Sequence, residues 1–236
     1  MKNRGLVLGM LIAVFCLAST ASAYETIEVK NGGSIEGVVS FVGTPPKDPV
    51  LKLSSETAYC GKTMPAKKFV IKDGKIENVA VYITDIKSGK AIPAAPVTIT
   101  NLKCEFSPHM SIGYQGGKLV QSNDDPIFHN IHTYLNGKTM FNIGLPEKGS
   151  SVTKPLLRPG QMEVTCDSHP WMHGYLMIID NPYGAVSGES GSFQIKDIPA
   201  GTYTVEAWHE VLGKVTVSNV KVESGKPTHI KVEFKK

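Results

Sequence analysis

The stretch Cys166-Asp-Ser-His169-Pro-Trp-Met172 brings three soft metal ligands close together in the chain. A thiolate, an imidazole and a thioether fall within seven residues, at the end of a strand predicted over residues 161–166. A redox-active copper ion prefers two imidazoles and one thiolate in a trigonal set, with a weak axial thioether. The loop offers three of these four ligands, so the remaining imidazole must come from a distant strand, and His129 is well placed to supply it.

The rest of the chain reads almost entirely as β structure. Short apolar or alternating segments are separated by turn signals such as Asp73-Gly74, Asn136-Gly137 and Pro159-Gly160. No segment with helical periodicity is long, and only residues 54–60 predict a single helical turn. Many short strands at this spacing predict an all-β sandwich or barrel.

The first residues have the pattern of an export signal. Lys2 and Arg4 precede an apolar run over residues 6–17, and small residues follow over 19–23. This run is shorter than the roughly 18 apolar residues that span a bilayer, so it predicts a cleaved signal peptide over residues 1–23. Lipidation at Cys16 is an alternative. No later run is long enough to cross a membrane, and we expect a periplasmic or extracellular protein that does not span a membrane.

The charge of the chain argues against a nucleic-acid partner. The formal net charge of +4 falls to +2 once Lys2 and Arg4 are removed with the signal peptide. No basic run interleaved with aromatic residues occurs. A balance so near neutral also predicts that docking is not driven by a large electrostatic field.

Export would leave three cysteines, an odd number that needs an explanation in an oxidising compartment. If Cys166 binds a metal, Cys60 and Cys104 remain to form a disulfide. The alternative is three free thiols.

Residues 103–181 resemble the cupredoxins, and the ligand loop is most similar to that of amicyanins and plastocyanins. The resemblance rests on Phe106-Ser-Pro108, Gly116-Gly117, Asn123-Asp-Asp125, His129-Asn130, Pro159-Gly160 and the Cys-x-x-His-x-x-Met loop with Pro170 after its histidine. It implies a cupredoxin-like Greek-key sandwich that binds one copper ion cycling between Cu(I) and Cu(II). It further implies that His129, Cys166 and His169 are the equatorial ligands and that Met172 is the axial one.

Additional histidines leave the ligand set open. His132 follows His129 by three residues, and His173 directly follows Met172, so a site with three imidazoles or a second ion is an alternative. A structural zinc site is another, because Cys and His also bind zinc tetrahedrally, although Met is a poor zinc ligand.

The tail resembles a different family. Residues 191–203, Gly-Ser-Phe-Gln-Ile-Lys-Asp-Ile-Pro-Ala-Gly-Thr-Tyr, are similar to carboxypeptidase regulatory-like domains, which have a transthyretin-like sandwich fold. Residues 33–39 look like the first strand of such a module. We therefore predict a β region over residues 24–102, which completes a sandwich with residues 182–236, and a cupredoxin-like domain over 103–181 inserted between them. An N-terminal extension packed on the cupredoxin is the alternative.

These patterns favour a copper-binding electron carrier that is not an enzyme, since a nitrite reductase or multicopper oxidase needs a further cupredoxin domain or subunit. The resemblance implies outer-sphere transfer through His169 and a docking patch formed by Pro170 and Trp171 with Leu135 or Ile131. A redox protein such as a c-type cytochrome is the expected partner. Copper delivery or storage, or a non-redox binding module with a structural metal, are the alternatives.

Overall fold

The computed structural model of the protein describes residues 24–235, so the predicted signal peptide lies outside the described residues. Almost every element in this part of the chain is a β-strand. The strands are β1 (Glu25–Thr26), β2 (Gly33–Val42), β3 (Val50–Lys52), β4 (Thr63–Pro65), β5 (Ile71–Lys72), β6 (Lys75–Ile76), β7 (Ala80–Ile83), β8 (Ser88–Gly89), β9 (Val97–Leu102), β10 (Glu105–Ser107), β11 (Met110–Tyr114), β12 (Lys118–Asn123), β13 (His129–Leu135), β14 (Lys138–Leu145), β15 (Ser151–Pro155), β16 (Gly160–Thr165), β17 (His173–Ile179), β18 (Gly184–Val186), β19 (Ser192–Ile198), β20 (Gly201–His209), β21 (Gly213–Val222) and β22 (Pro227–Lys235), and the single helix described is α1 (Thr57–Cys60).

Strands β9 to β17 form a central sandwich of two sheets. One sheet has the order β10-β9-β12-β15 and the other β11-β17-β16-β13-β14. Residues alternate between the interior and the outer face, as in β16, where Met162 and Val164 are buried and their neighbours are not. The predicted all-β fold class is confirmed. This sandwich begins at Val97, before the predicted start at residue 103, because β9 pairs with both β10 and β12.

A terminal sandwich is built from strands near both ends of the described chain. One sheet has the order β18-β7-β20-β21, and the other has the order β19-β2-β6-β5. Strand β22 joins the second sheet, pairing in parallel with β2 from Ser34↔Pro227 to Val42↔Lys235. The interior is a separate apolar cluster that includes Ile35, Val81 and Phe234. The resemblance of this part to carboxypeptidase regulatory-like domains stays a prediction.

The two sandwiches meet through a small apolar cluster. Ala80 and Trp208 of the terminal sandwich pack with Met110, Met177 and Ile179 of the central one.

A short excursion between β2 and β5 reaches the central sandwich. It consists of the antiparallel pair β3–β4 and the helix α1 that connects them. Leu53 is part of the apolar core of the central sandwich, and Cys60 and Met64 pack against that core. The predicted disulfide is confirmed, because Cys60 is bonded to Cys104 with a Cα–Cα distance of 5.6 Å. Among the described residues, no helix is long and apolar enough to cross a bilayer.

Candidate metal centre

Three of the predicted ligands converge at one end of the central sandwich. His129 is the first residue of β13, while Cys166 and His169 lie in the loop between β16 and β17. The pairing of β13 with β16 ends at His132↔Thr165, so the start of β13 extends beyond β16 and lies beside this loop. One ligand atom from each of the three residues lies within 4.8 Å of the other two.

The distances between these atoms describe a compact cluster. The Nδ1 atoms of His129 and His169 are 3.0 Å apart. Cys166 Sγ lies 3.8 Å from Nδ1 of His129 and 3.5 Å from Nδ1 of His169. All three residues are buried, with at most 3% of any of them exposed. Two imidazole nitrogens and one sulfur therefore face a common point from which water is largely excluded.

Asn130 holds the ligand loop in place. Its backbone N–H donates to Cys166 Sγ at 3.4 Å, and its Oδ1 accepts the backbone N–H of Asp167 at 2.7 Å and of Ser168 at 3.2 Å. The loop also closes on itself, because the N–H of His169 donates to the carbonyl oxygen of Cys166 at 3.2 Å. These bonds tie the loop to β13 at the residue that follows His129.

A buried carboxylate contacts the far side of the His129 ring. Asp125 Oδ2 lies 3.0 Å from His129 Nε2, and neither side chain is exposed. Although burial opposes ionisation, hydrogen bonds from Cys104, Lys103, Tyr59 and His129 lower the pKa of Asp125. An ionised carboxylate only accepts, so Nε2 carries the proton and the lone pair of Nδ1 faces Cys166 and His169.

Burial sets the protonation of the three candidate ligands. It lowers the pKa of His129, where the neighbouring His169 adds to the effect, and it lowers the pKa of His169. Burial raises the pKa of the Cys166 thiol, and hydrogen bonds from the backbone of Asn130, His169 and Ser168 oppose this increase. The imidazoles are therefore neutral, as metal binding requires, whereas formation of the thiolate needs a cation that binds sulfur strongly.

Met172 and Trp171 lie in the apolar core of the central sandwich. Met172 is 1% exposed and belongs to the same buried cluster as Cys166. The indole N–H of Trp171 donates to the carbonyl oxygen of Cys104 at 3.3 Å, and its ring centroid is 5.0 Å from that of His169.

These contacts correct the expected docking patch. Trp171 is 9% exposed, and Ile131 and Leu135 are also buried, so none of them forms an apolar surface. Of the four residues predicted for the patch, Pro170 alone is exposed.

The two additional histidines lie outside the cluster. Nδ1 of His132 lies 3.0 Å from Asp167 Oδ1 and 2.9 Å from the hydroxyl oxygen of Tyr134. His173 Nδ1 lies 3.6 Å from Glu163 Oε1. Within residues 24–235, His129, Cys166 and His169 form the single group of three or more His, Cys, Asp or Glu whose ligand atoms converge.

The donor set fits copper by its chemistry. One thiolate and two neutral imidazoles, inside an apolar cluster that also holds a thioether, suit an ion that alternates between a soft and a harder oxidation state. Zn²⁺ would accept the same nitrogens and sulfur but would gain little from Met172.

The sequence pattern missed two residues that support the site. Asp125 appears in the Asn123-Asp-Asp125 motif, and its i, i+4 spacing to His129 was the available signal. The Tyr59 hydroxyl donates to Asp125 Oδ1 at 2.9 Å. The two residues are 66 positions apart in the sequence, so no local pattern predicts this contact.

Comparison with known proteins found similar solved structures for part of the chain. A purple cupredoxin from Nitrosopumilus maritimus is 24% identical and covers 35% of this chain and 99% of its own, with a TM-score of 0.32. A mutant of amicyanin in the oxidized state is 14% identical and covers 37% of this chain and 86% of its own, with a TM-score of 0.33. No family model and no curated protein matches the chain.

A third similar structure is a Cu-containing nitrite reductase from Thermus scotoductus. It is 20% identical with a TM-score of 0.32, and the match covers 38% of this chain but only 24% of the reductase. The chain thus spans about a quarter of that protein. This finding contradicts the prediction that the chain is not an enzyme, which rested on the presence of a single ligand loop.

Proposed function

We propose that the chain binds one copper ion, which His129, Cys166, His169 and Met172 would hold, and transfers single electrons. The observation that carries this proposal is the convergence of two imidazoles and one thiol, with ligand atoms within 4.8 Å of one another, at a buried end of the sandwich. Copper would supply a one-electron change between Cu(I) and Cu(II).

The protein's part is to keep the ligands in nearly the same positions in both oxidation states. His129 starts a strand that is paired on both sides, and Asn130 ties Cys166 and the loop to that strand. The N–H of Asn130 also stabilises negative charge on the Cys166 sulfur. A rigid, dry ligand set reduces the reorganisation that accompanies electron transfer.

We place the exit of the electron at His169. Pro170, the next residue, is exposed, whereas His129 is fully buried. A redox protein such as a c-type cytochrome would dock around Pro170, and the small net charge favours a contact that does not depend on strong charge attraction. The predicted signal peptide supports a periplasmic or extracellular location for this exchange.

A pair of histidine variants tests the ligand set. Voltammetry of the copper-loaded protein should give one reversible one-electron wave. His129→Ala should abolish this wave because it removes a ligand, and His132→Ala serves as the matched control because His132 lies outside the cluster. Loss of the wave in His132→Ala but not in His129→Ala would contradict the assignment.

Metal competition separates this function from the alternatives. Tighter binding of Zn²⁺ than of copper, without any redox wave, would indicate a structural site. Several Cu(I) ions bound per chain would indicate storage or delivery.

A further inference from the structure

Tyr59, on the helix α1, contacts Asp125, the carboxylate that holds the candidate ligand His129. Tyr59 donates its hydroxyl to Asp125 Oδ1 at 2.9 Å, and Asp125 Oδ2 lies 3.0 Å from His129 Nε2. A chain of two hydrogen bonds therefore connects the phenol of Tyr59 to a proposed copper ligand.

The Cys60–Cys104 disulfide lies next to the same carboxylate, because Cys104 is hydrogen-bonded to Asp125. Asp125 also accepts the backbone N–H groups of Lys103, at 2.6 Å, and Cys104, at 2.8 Å. Cys104 is bonded to Cys60, the neighbour of Tyr59 in the sequence. The covalent bond and the phenol hydrogen bond thus attach one turn of helix to the residue that orients His129.

Packing holds the Tyr59 side chain itself only in part. The helix α1 has four residues, none of them buried, and no side-chain cap. Tyr59 itself is 44% exposed. So short a helix is not stable alone, and besides the packing of Cys60 against the central core, the disulfide and the contact with Asp125 hold it in place.

We propose that Tyr59 is a positioning residue for the copper ligand His129, that it acts through Asp125, and that the Cys60–Cys104 disulfide holds it in place. This inference rests on the proposed copper function. The Tyr59 hydroxyl shares the negative charge of the carboxylate, so it limits how strongly Asp125 polarises the Nε2–H of His129. Without that hydroxyl, Asp125 accepts more strongly from His129, and the imidazole becomes a better donor for Cu(II).

The test is the reduction potential of Tyr59→Phe, compared with a matched control. Tyr82→Phe removes a similar bond, from a tyrosine hydroxyl to Glu206 Oε2 at 3.0 Å, in the terminal sandwich. We expect Tyr59→Phe to lower the reduction potential. The shift should correspond to roughly a threefold to tenfold change in the Cu(II)/Cu(I) equilibrium, which is the effect expected from one hydrogen bond. A tenfold change corresponds to about 59 mV for a one-electron couple. Tyr82→Phe should leave the potential unchanged.

A metal-free readout separates this inference from the proposed function. In the protein without copper, the NMR signal of the His129 Nε2 proton should move in Tyr59→Phe and not in Tyr82→Phe. If wild-type protein binds no copper, the proposed function fails, and this signal still tests the link between Tyr59 and His129. If copper binds but neither the potential nor the proton signal responds to Tyr59→Phe, the inference is wrong and the proposed function stands.

The role of the disulfide is tested by combining variants. Replacing both Cys60 and Cys104 with Ser should lower the potential in the same direction, because α1 loses its attachment. Adding Tyr59→Phe to this double variant should then cause little further change, since the hydroxyl has already left Asp125. Fully additive shifts would show that the disulfide does not position Tyr59. Should the double variant fail to fold, Tyr59→Phe alone decides the role of Tyr59, and partial reduction of the native disulfide decides the role of the covalent bond.

Discussion

At the scale of single residues, His129 is oriented from both sides of its ring. Asp125 accepts a hydrogen bond from Nε2–H, so Nδ1 faces Cys166 and His169 with its lone pair free. The sequence could predict His129, because the motif around it and the Cys166 loop are local patterns. It could not predict Tyr59 or the burial of Trp171, since these depend on contacts with Asp125 and the carbonyl oxygen of Cys104 that are distant in sequence.

His209, in the terminal sandwich, should make stability depend on pH. It is 2% exposed, its Nδ1 accepts the backbone N–H groups of Val211 and Leu212, and burial lowers its pKa to about 4. Between about pH 6.5 and this value the unfolded chain binds a proton that the folded chain excludes, so stability falls as the pH falls. The loss attributable to His209 should approach about 3 kcal/mol at pH 4.

Urea unfolding at several pH values checks this expectation. His209→Asn keeps an acceptor near Nδ1 but does not titrate, so it should flatten the dependence between pH 6.5 and 4. An equal pH dependence in the wild type and in His209→Asn would show that His209 is not responsible.

At the scale of elements, the Cys60–Cys104 disulfide should also contribute to stability. It closes a loop with a sequence separation of 44, which in the chain-entropy model is worth about 4 kcal/mol. Replacing both cysteines with Ala should lower the free energy of unfolding by about this amount in a denaturant titration. A change below about 1 kcal/mol would mean that the excursion between β2 and β5 is held by packing alone.

The element boundaries show what periodicity predicts and what it misses. Strands such as β16, with alternating burial, were predictable from period-2 patterns. That β9 belongs to the central sandwich was not predictable. Val97–Leu102 joins this sandwich through parallel pairing with β12, and neither segment alone indicates that pairing.

At the scale of the whole molecule, we propose that the central sandwich is an insertion between the two halves of the terminal one. Strand β2 pairs with β19 and β22, and β7 pairs with β18 and β20, so each half supplies partners for the other. Deleting residues 182–236 should therefore remove the hydrogen-exchange protection of β2 and β7 while β13 and β16 stay protected. Retained protection of β2 would favour an N-terminal extension that folds independently of the tail.

The central claim, one mononuclear copper site per chain, is tested most directly by visible absorption during a titration with Cu(II). We expect an intense thiolate-to-copper charge-transfer band that saturates at one copper per chain and is absent in Cys166→Ala. A colourless Cu(II) complex, or a band that persists in Cys166→Ala, would contradict the claim.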